Sequence, residues 1–157
     1  MKFKLNYITI SLFVLMVSIL GGQFTSVGIQ SGWYDSLAKP AWTPDGAVIG
    51  IVWTIIFILT AMSALIVWNK TKRGKEFNKI IFLFLLNGFL NFSWSFLFFT
   101  AQYIGMAVMG AAFIGLSVLL LIIKIWPRSK LAASLLVPYL GWVTFATYLN
   151  YVIFQLN

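Results

Sequence analysis

The chain has 157 residues, is 61% hydrophobic and 9% charged, and carries a net charge of +8, with a mean hydropathy of +0.96. No soluble domain of this size has interior enough to hide that much apolar surface, so the composition specifies an integral membrane protein. The basic charges lie between apolar runs, which excludes a nucleic-acid reading in favour of a topology signal. The lack of cysteine and histidine excludes disulfides, thiolate chemistry, the commonest general base and the commonest metal ligand.

A membrane span needs about 20 mostly apolar residues. Five runs qualify, at 5–25, 47–68, 79–99, 104–126 and 131–154. They predict an all-α bundle of five transmembrane helices forming one domain over 1–157. The first run has the basic start of a signal peptide, but it is long for an h-region and no A-x-A-like site closes it. It is therefore read as a span.

Between the first two runs lies "SGWYDSLAKPAWTPDGAVIG", Ser31 to Gly50, which holds two of the chain's three acidic residues. Pro40 and Pro44 stiffen this loop, and Trp33, Tyr34 and Trp42 give it an apolar underside. Asp45 before Gly46 is placed to cap the next helix, and Lys39 is within reach of Asp35. A long, rigid, aromatic loop at the mouth of a bundle reads as a lid. In the second run, Trp53 sits about two turns from the loop, with an indole N–H to satisfy.

The third run reads "LLNGFLNFSWSFLFF". Asn87, Asn91, Trp94 and Phe98 recur at helical spacing on one face, and two asparagines on a stripe must face the interior. Either bonding between helices or a ligand site would place them there. In the fourth run Ala107, Ala111 and Gly115 repeat every four residues, a small-residue packing ridge within the bundle or between protomers. The fifth run reads "LVPYLGWVTFATYLNYVIF". Pro138 is expected to bend it, and Tyr139, Trp142, Ala146, Leu149 and Asn150 share an approximate face. Trp68 and Trp126 stand at span ends, where indole belongs at the membrane interface.

Ten of the eleven Lys and Arg residues fall on one side of these spans, including Lys2, Lys4 and the group Lys70 to Lys79. The positive-inside rule puts the N-terminus in the cytoplasm and the C-terminus and aromatic loop outside. No Asp, Glu, Lys or Arg lies inside a span away from its ends, which argues against ion-coupled transport, charged-ring channels and acid–base hydrolysis. Buried tryptophans, an asparagine stripe and no charge instead form a pocket for a large, flat, mostly apolar ligand.

These residues resemble the translocator protein family (TspO/MBR), also called tryptophan-rich sensory proteins or peripheral benzodiazepine receptors. The loop is similar to W-Y-x-x-L-x-K-P-x-W-x-P, through Trp33, Tyr34, Leu37, Lys39, Pro40, Trp42 and Pro44. The third run is similar to L-N-x-x-W…F-F, and the fifth to P-Y-L-x-W-x-x-F-A-T-x-L-N, Pro138 to Asn150. The resemblance implies a five-helix bundle, homodimeric in many members, that binds tetrapyrroles such as protoporphyrin IX under the first loop and needs no cofactor. It implies that synthetic isoquinoline and benzodiazepine ligands share the pocket. It places Trp53, Asn87, Asn91, Trp94, Trp142, Phe145, Ala146 and Leu149 around the ligand. Bacterial relatives are associated with light- and oxygen-dependent porphyrin breakdown, which assigns a tentative catalytic role to Trp53 and Trp142.

The chain departs from the family pattern in places. Asp45 replaces a second loop proline. Ser95-Phe96 replaces Pro-Pro after the third-run tryptophan, predicting a straighter helix. Gly110 and Met106 replace an acidic residue and a tryptophan of some relatives. The fifth run's tyrosines lack the following Lys or Arg of a proposed cholesterol motif, which argues against sterol binding. The short tail suggests a bacterial plasma-membrane protein. Three functions remain in view: a tetrapyrrole-binding protein that senses, sequesters or translocates its ligand; a porphyrin-degrading enzyme that uses pocket tryptophans; and a membrane scaffold with a secondary pocket.

Overall fold

The structure is a computed structural model that describes residues 5–157. Lys2 and Lys4, part of the charge asymmetry, lie outside the described residues. The elements are α1 (Leu5–Gln30), α2 (Trp33–Ser36), α3 (Gly46–Lys70), α4 (Lys75–Ser95), a π-helical turn (Phe96–Thr100), α5 (Ile104–Ile125), α6 (Lys130–Ser134) and α7 (Val137–Leu156). Five helical segments are long and apolar enough to cross a membrane: α1, α3, α4 with its π turn, α5, and α6 with α7. They match the five predicted spans, and there is no strand among the described residues.

The helix ends follow local chemistry. α1 runs past the predicted limit at 25 because its polar C-terminal residues bond back to their own helix. Thr25 Oγ1 donates to the Gly21 carbonyl at 2.9 Å, Ser26 Oγ to Gln23 at 2.8 Å, and Ser31 Oγ to Gly28 at 3.1 Å. Gly32, at φ 74°, then turns the chain in the left-handed region that glycine enters without strain. Asp45 caps α3 as expected, accepting from the Ala47 amide at 2.8 Å. At the opposite end, Glu76 in the first turn of α4 meets Lys79 at 2.7 Å, Arg128 at 3.5 Å and Lys124 at 3.7 Å. These exposed pairs tie α4 to the end of α5 but contribute modestly.

Two expectations are corrected. The third-span helix, α4, is not a uniform α-helix without its Pro-Pro pair. Its ladder widens at Phe96, where the Ala101 amide bonds the Phe96 carbonyl at 2.8 Å. This π turn lets the adjacent residues Phe98 and Phe99 both point inward, at 2% and 8% exposure. Pro138 does not bend a continuous helix. The break falls earlier, at Leu135 and Leu136, and Pro138 sits in the first turn of α7, where its missing N–H costs nothing.

α5 lies at the centre, packed on α4 and α7, while α1 packs on α4, the π turn and α3. The ridge of small residues serves this internal packing. Ala107 and Ala111 are buried, and a Cβ on Gly115 would lie 3.4 Å from Val143 of α7. Ile114, Val118, Leu121 and Ile125 complete a core with Ile56 and Val67 of α3, Ile80 of α4 and Val143 of α7. Phe82, Phe89, Phe113 and Ile123 point outward, as a lipid-facing surface requires.

Candidate functional site

At the loop end of the bundle, α1, α3, α4 with its π turn, and α7 enclose a cavity of about 400 Å³. Its floor and sides are aromatic: Trp53 and Phe57 from α3, Trp94 and Phe98 from α4 and its π turn, Trp142 and Phe145 from α7. Trp94 stacks on Phe98 at 5.6 Å and an interplanar angle of 16°, and Trp142 leans on Phe145 at 5.3 Å. Trp53 stands edge-on to Tyr139 at 5.9 Å. The α1 wall is made of small and hydroxylated residues, Ser18, Gly21, Gly22, Thr25 and Ser26. Gly22 of α1 and Gly46, Gly50 and Thr54 of α3 are all exposed at this wall, so the cavity reaches the bundle surface between those helices.

Of the eight predicted ligand residues, seven line this cavity: Trp53, Asn91, Trp94, Trp142, Phe145, Ala146 and Leu149. Asn87 does not. It faces a second cavity, one turn further toward the basic end. Between the two cavities Asn87, Asn91 and Tyr139 join α4 to α7 and α5. Asn91 Nδ2 donates to Tyr139 Oη at 2.7 Å, Tyr139 Oη donates to Asn87 Oδ1 at 3.2 Å, and Asn87 Nδ2 donates to Ser117 Oγ at 2.9 Å. The asparagine stripe therefore bonds helices together and, through Asn91, also forms part of the cavity wall.

Three wall residues carry buried donors with no partner: Trp94 Nε1, Trp142 Nε1 and Asn150 Nδ2. A buried N–H without an acceptor is costly, and three around one cavity suit a ligand that brings acceptors with it. The α1 wall, Phe57 and Ile153 were not foreseen. The α1 signal was present as closely spaced glycines and hydroxyls, but it carries no aromatic or amide to single it out.

The loop packs down on this end of the bundle. Trp33 meets Phe98 edge-on at 5.5 Å, and Tyr34 meets Phe99 at 5.5 Å. Trp42 stacks flat on Tyr148 at 5.7 Å and touches Phe145 edge-on at 5.8 Å. Pro40 accepts from the Thr43 amide and hydroxyl at 2.9 and 2.7 Å, which closes the turn before Pro44. Among the loop residues predicted as a lid, Tyr34 lies on the cavity wall, Trp33 and Trp42 pack on bundle aromatics beside it, and Pro40 closes the turn that precedes Pro44. Burial, and secondarily the charge of Asp35, raise the Tyr34 hydroxyl above its ordinary pKa.

Lys39 does not pair with the Asp35 carboxylate. Its ammonium donates to the backbone carbonyls of Tyr34, Leu37 and Asp35 and lies 4.6 Å over the Tyr34 ring. It thereby caps the C-terminus of α2. The last residue completes the anchoring. Asn157 Nδ2 donates to the Ala38 carbonyl and Asn157 Oδ1 accepts from the Ala38 amide, each at 3.0 Å. No sequence signal marked this clamp, because it joins positions 119 apart in the chain.

Comparison with known proteins agrees with this architecture. Residues 9–156 match the TspO/MBR family. The chain is 39% identical over 129 residues to the tryptophan-rich protein TspO of Bacillus cereus, covering 82% of this chain and 83% of that one. It is 35% identical to the tryptophan-rich protein TspO of Archaeoglobus fulgidus, covering 92% of each. It is 33% identical to the human translocator protein, covering 80% of this chain and 75% of that one. The chain is an integral membrane protein of the TspO/MBR family.

Proposed function

We propose that this protein binds a tetrapyrrole of the protoporphyrin IX kind in the cavity beneath the loop, and senses, sequesters or translocates it. The observation that carries this reading is the cavity itself. Trp53, Trp94, Trp142 and Phe145 line a space of about 400 Å³, and three buried donors on its walls lack acceptors. Flat aromatic walls suit the faces of a conjugated macrocycle, and unpaired donors suit its carboxylate oxygens once their side chains turn to meet them. A macrocycle larger than the enclosed space has room at the open flank between α1 and α3. Isoquinoline and benzodiazepine ligands, smaller and flat, fit the same walls. The loop acts as a lid, and the protein sits in a bacterial plasma membrane as a homodimer, with the basic end and N-terminus cytoplasmic.

Protoporphyrin IX added to purified protein in the dark should quench tryptophan fluorescence saturably, and an isoquinoline ligand should reverse the quenching. Non-saturable quenching, equal to that of empty detergent micelles, would refute the proposal. One observation keeps a second reading open. Trp53 and Trp142 line the same cavity, so a bound, photoexcited porphyrin would touch two oxidisable indoles in the presence of dioxygen. Illuminated turnover that Phe at both positions abolishes, with dark affinity retained, would support the enzyme.

A further inference from the structure

The second cavity, of about 300 Å³, lies between α1, α3 and α4 on the far side of Tyr139 from the loop. Phe57 and Asn91 belong to the walls of both cavities, so the two chambers are stacked and share a septum. The lower chamber's wall is almost wholly apolar, formed by Phe13, Val17, Ala64 and Phe84 among others, and contains no ionisable side chain except the Tyr139 phenol at its roof. One polar atom stands out. Thr60, 9% exposed, has its hydroxyl enclosed and without a partner.

Every other helical threonine among the described residues has an acceptor; Thr9 donates to the Asn6 carbonyl at 3.4 Å and Thr100 to that of Phe24 at 3.3 Å. Thr25, Thr54, Thr144 and Thr147 each donate to the carbonyl four residues earlier, at 2.7 to 2.9 Å. That bond is the ordinary way to satisfy a hydroxyl inside a membrane helix. Thr60 lacks that bond although it lines an apolar chamber; its hydroxyl is enclosed beside that space and meets a bound polar group on turning about χ1. A half-open apolar pocket of this size, with exposed Thr9 and Leu85 among its lining, is at the small end of ligand pockets.

We propose that the lower chamber is a second ligand site, distinct from the one beneath the loop, for a small neutral apolar molecule carrying one hydroxyl or carbonyl. Thr60 holds that polar group, and Phe13, Val17, Ala64 and Phe84 hold the hydrocarbon. Charged molecules are excluded, because nothing in the chamber compensates a desolvated charge. The septum of Asn87, Asn91 and Tyr139 keeps the two sites separate, so occupancy of one does not require the other.

The test uses benzophenone, a neutral photoreactive ketone, on the full chain in bilayer nanodiscs, with adducts mapped by mass spectrometry. Adducts are expected on Phe13, Val17, Ala64 or Phe84. Ala64→Phe, which fills the chamber, should abolish them. Thr60→Val, which keeps shape and removes the hydroxyl, should raise the half-saturating probe concentration roughly two- to tenfold. Ala146→Phe, which fills the upper cavity, should leave the lower-chamber adducts in place. Adducts confined to the upper cavity, or spread evenly over lipid-facing Phe82, Phe89 and Phe113, would overturn the proposal. Unchanged saturation in Thr60→Val would also overturn it, and this near-isosteric variant decides the matter if Ala64→Phe fails to fold.

Discussion

Tyr139→Phe isolates the polar septum from the packing around it. The ring stays, so its edge contact with Trp53 at 5.9 Å survives and no cavity opens. Only the hydroxyl is lost. It accepts from Asn91 at 2.7 Å and donates to Asn87 at 3.2 Å. The second distance is long for an O–H···O bond, so the first should dominate. Hydrogen bonds between membrane helices are worth about 0.6 kcal/mol on average and up to about 1.7. Asn91 Nδ2 is left buried without an acceptor, whereas Asn87 keeps its bond to Ser117. The expected destabilisation is therefore about 1 to 2 kcal/mol, well below the 3–5 or so that emptying an aromatic site costs. The assay is reversible unfolding in bicelles, combined with Asn91→Ala in a double-mutant cycle. A Tyr139→Phe variant as stable as wild type, or strictly additive with Asn91→Ala, would refute the septum as a bonded unit.

Two glycines should respond unequally to alanine. A Cβ at Gly28 would lie 2.7 Å from the Phe99 backbone carbonyl, which cannot move without shifting the π turn, so Gly28→Ala should cost about 1–3 kcal/mol. At Gly88 the obstacle is the far end of the Phe13 ring, also at 2.7 Å, which can swing away, so Gly88→Ala should cost less; the reverse order in thermal melting would contradict this. Asn157→Ala should release the loop at Ala38 and speed dissociation of a bound ligand while the melting temperature stays near wild type. Unchanged release would show that the aromatic contacts alone hold the loop. Because Tyr34 is raised above its ordinary value of 10.0, its neutral form favours the packed loop. That stabilisation is full below pH 10 and is lost as pH rises through the raised value. Proteolysis of the loop should follow this rise in wild type, and the same pH response in Tyr34→Phe would contradict it.

The five spans were legible because apolar runs of membrane length have few alternative uses. Most of the candidate site was legible too, because an amide or indole in a span must find a polar or aromatic setting. Trp53, Trp94 and Trp142 meet on one cavity for that reason. Asn87 shows the limit of this logic. Burial is common to a bonded septum and a ligand wall, and only geometry separates them. Other features follow from demands that do not act locally. The π turn exists because Phe98 and Phe99 must both face inward under Trp33 and Tyr34. The Asn157 clamp joins the two ends of the fold. Pro138 was placed correctly within the last span but misjudged in effect, since a proline that bends a helix interior also suits a helix start.

The most direct measurement is a dark titration of protoporphyrin IX into wild type and Ala146→Trp, following tryptophan quenching at matched thermal stability. Ala146 lines the wall between Trp142 and Leu149, so an indole there occupies the enclosed space. If the cavity beneath the loop is the binding site, wild type should saturate and Ala146→Trp should lose at least tenfold in affinity while melting normally. Equal affinity in the two proteins would place the ligand elsewhere and contradict the proposed function.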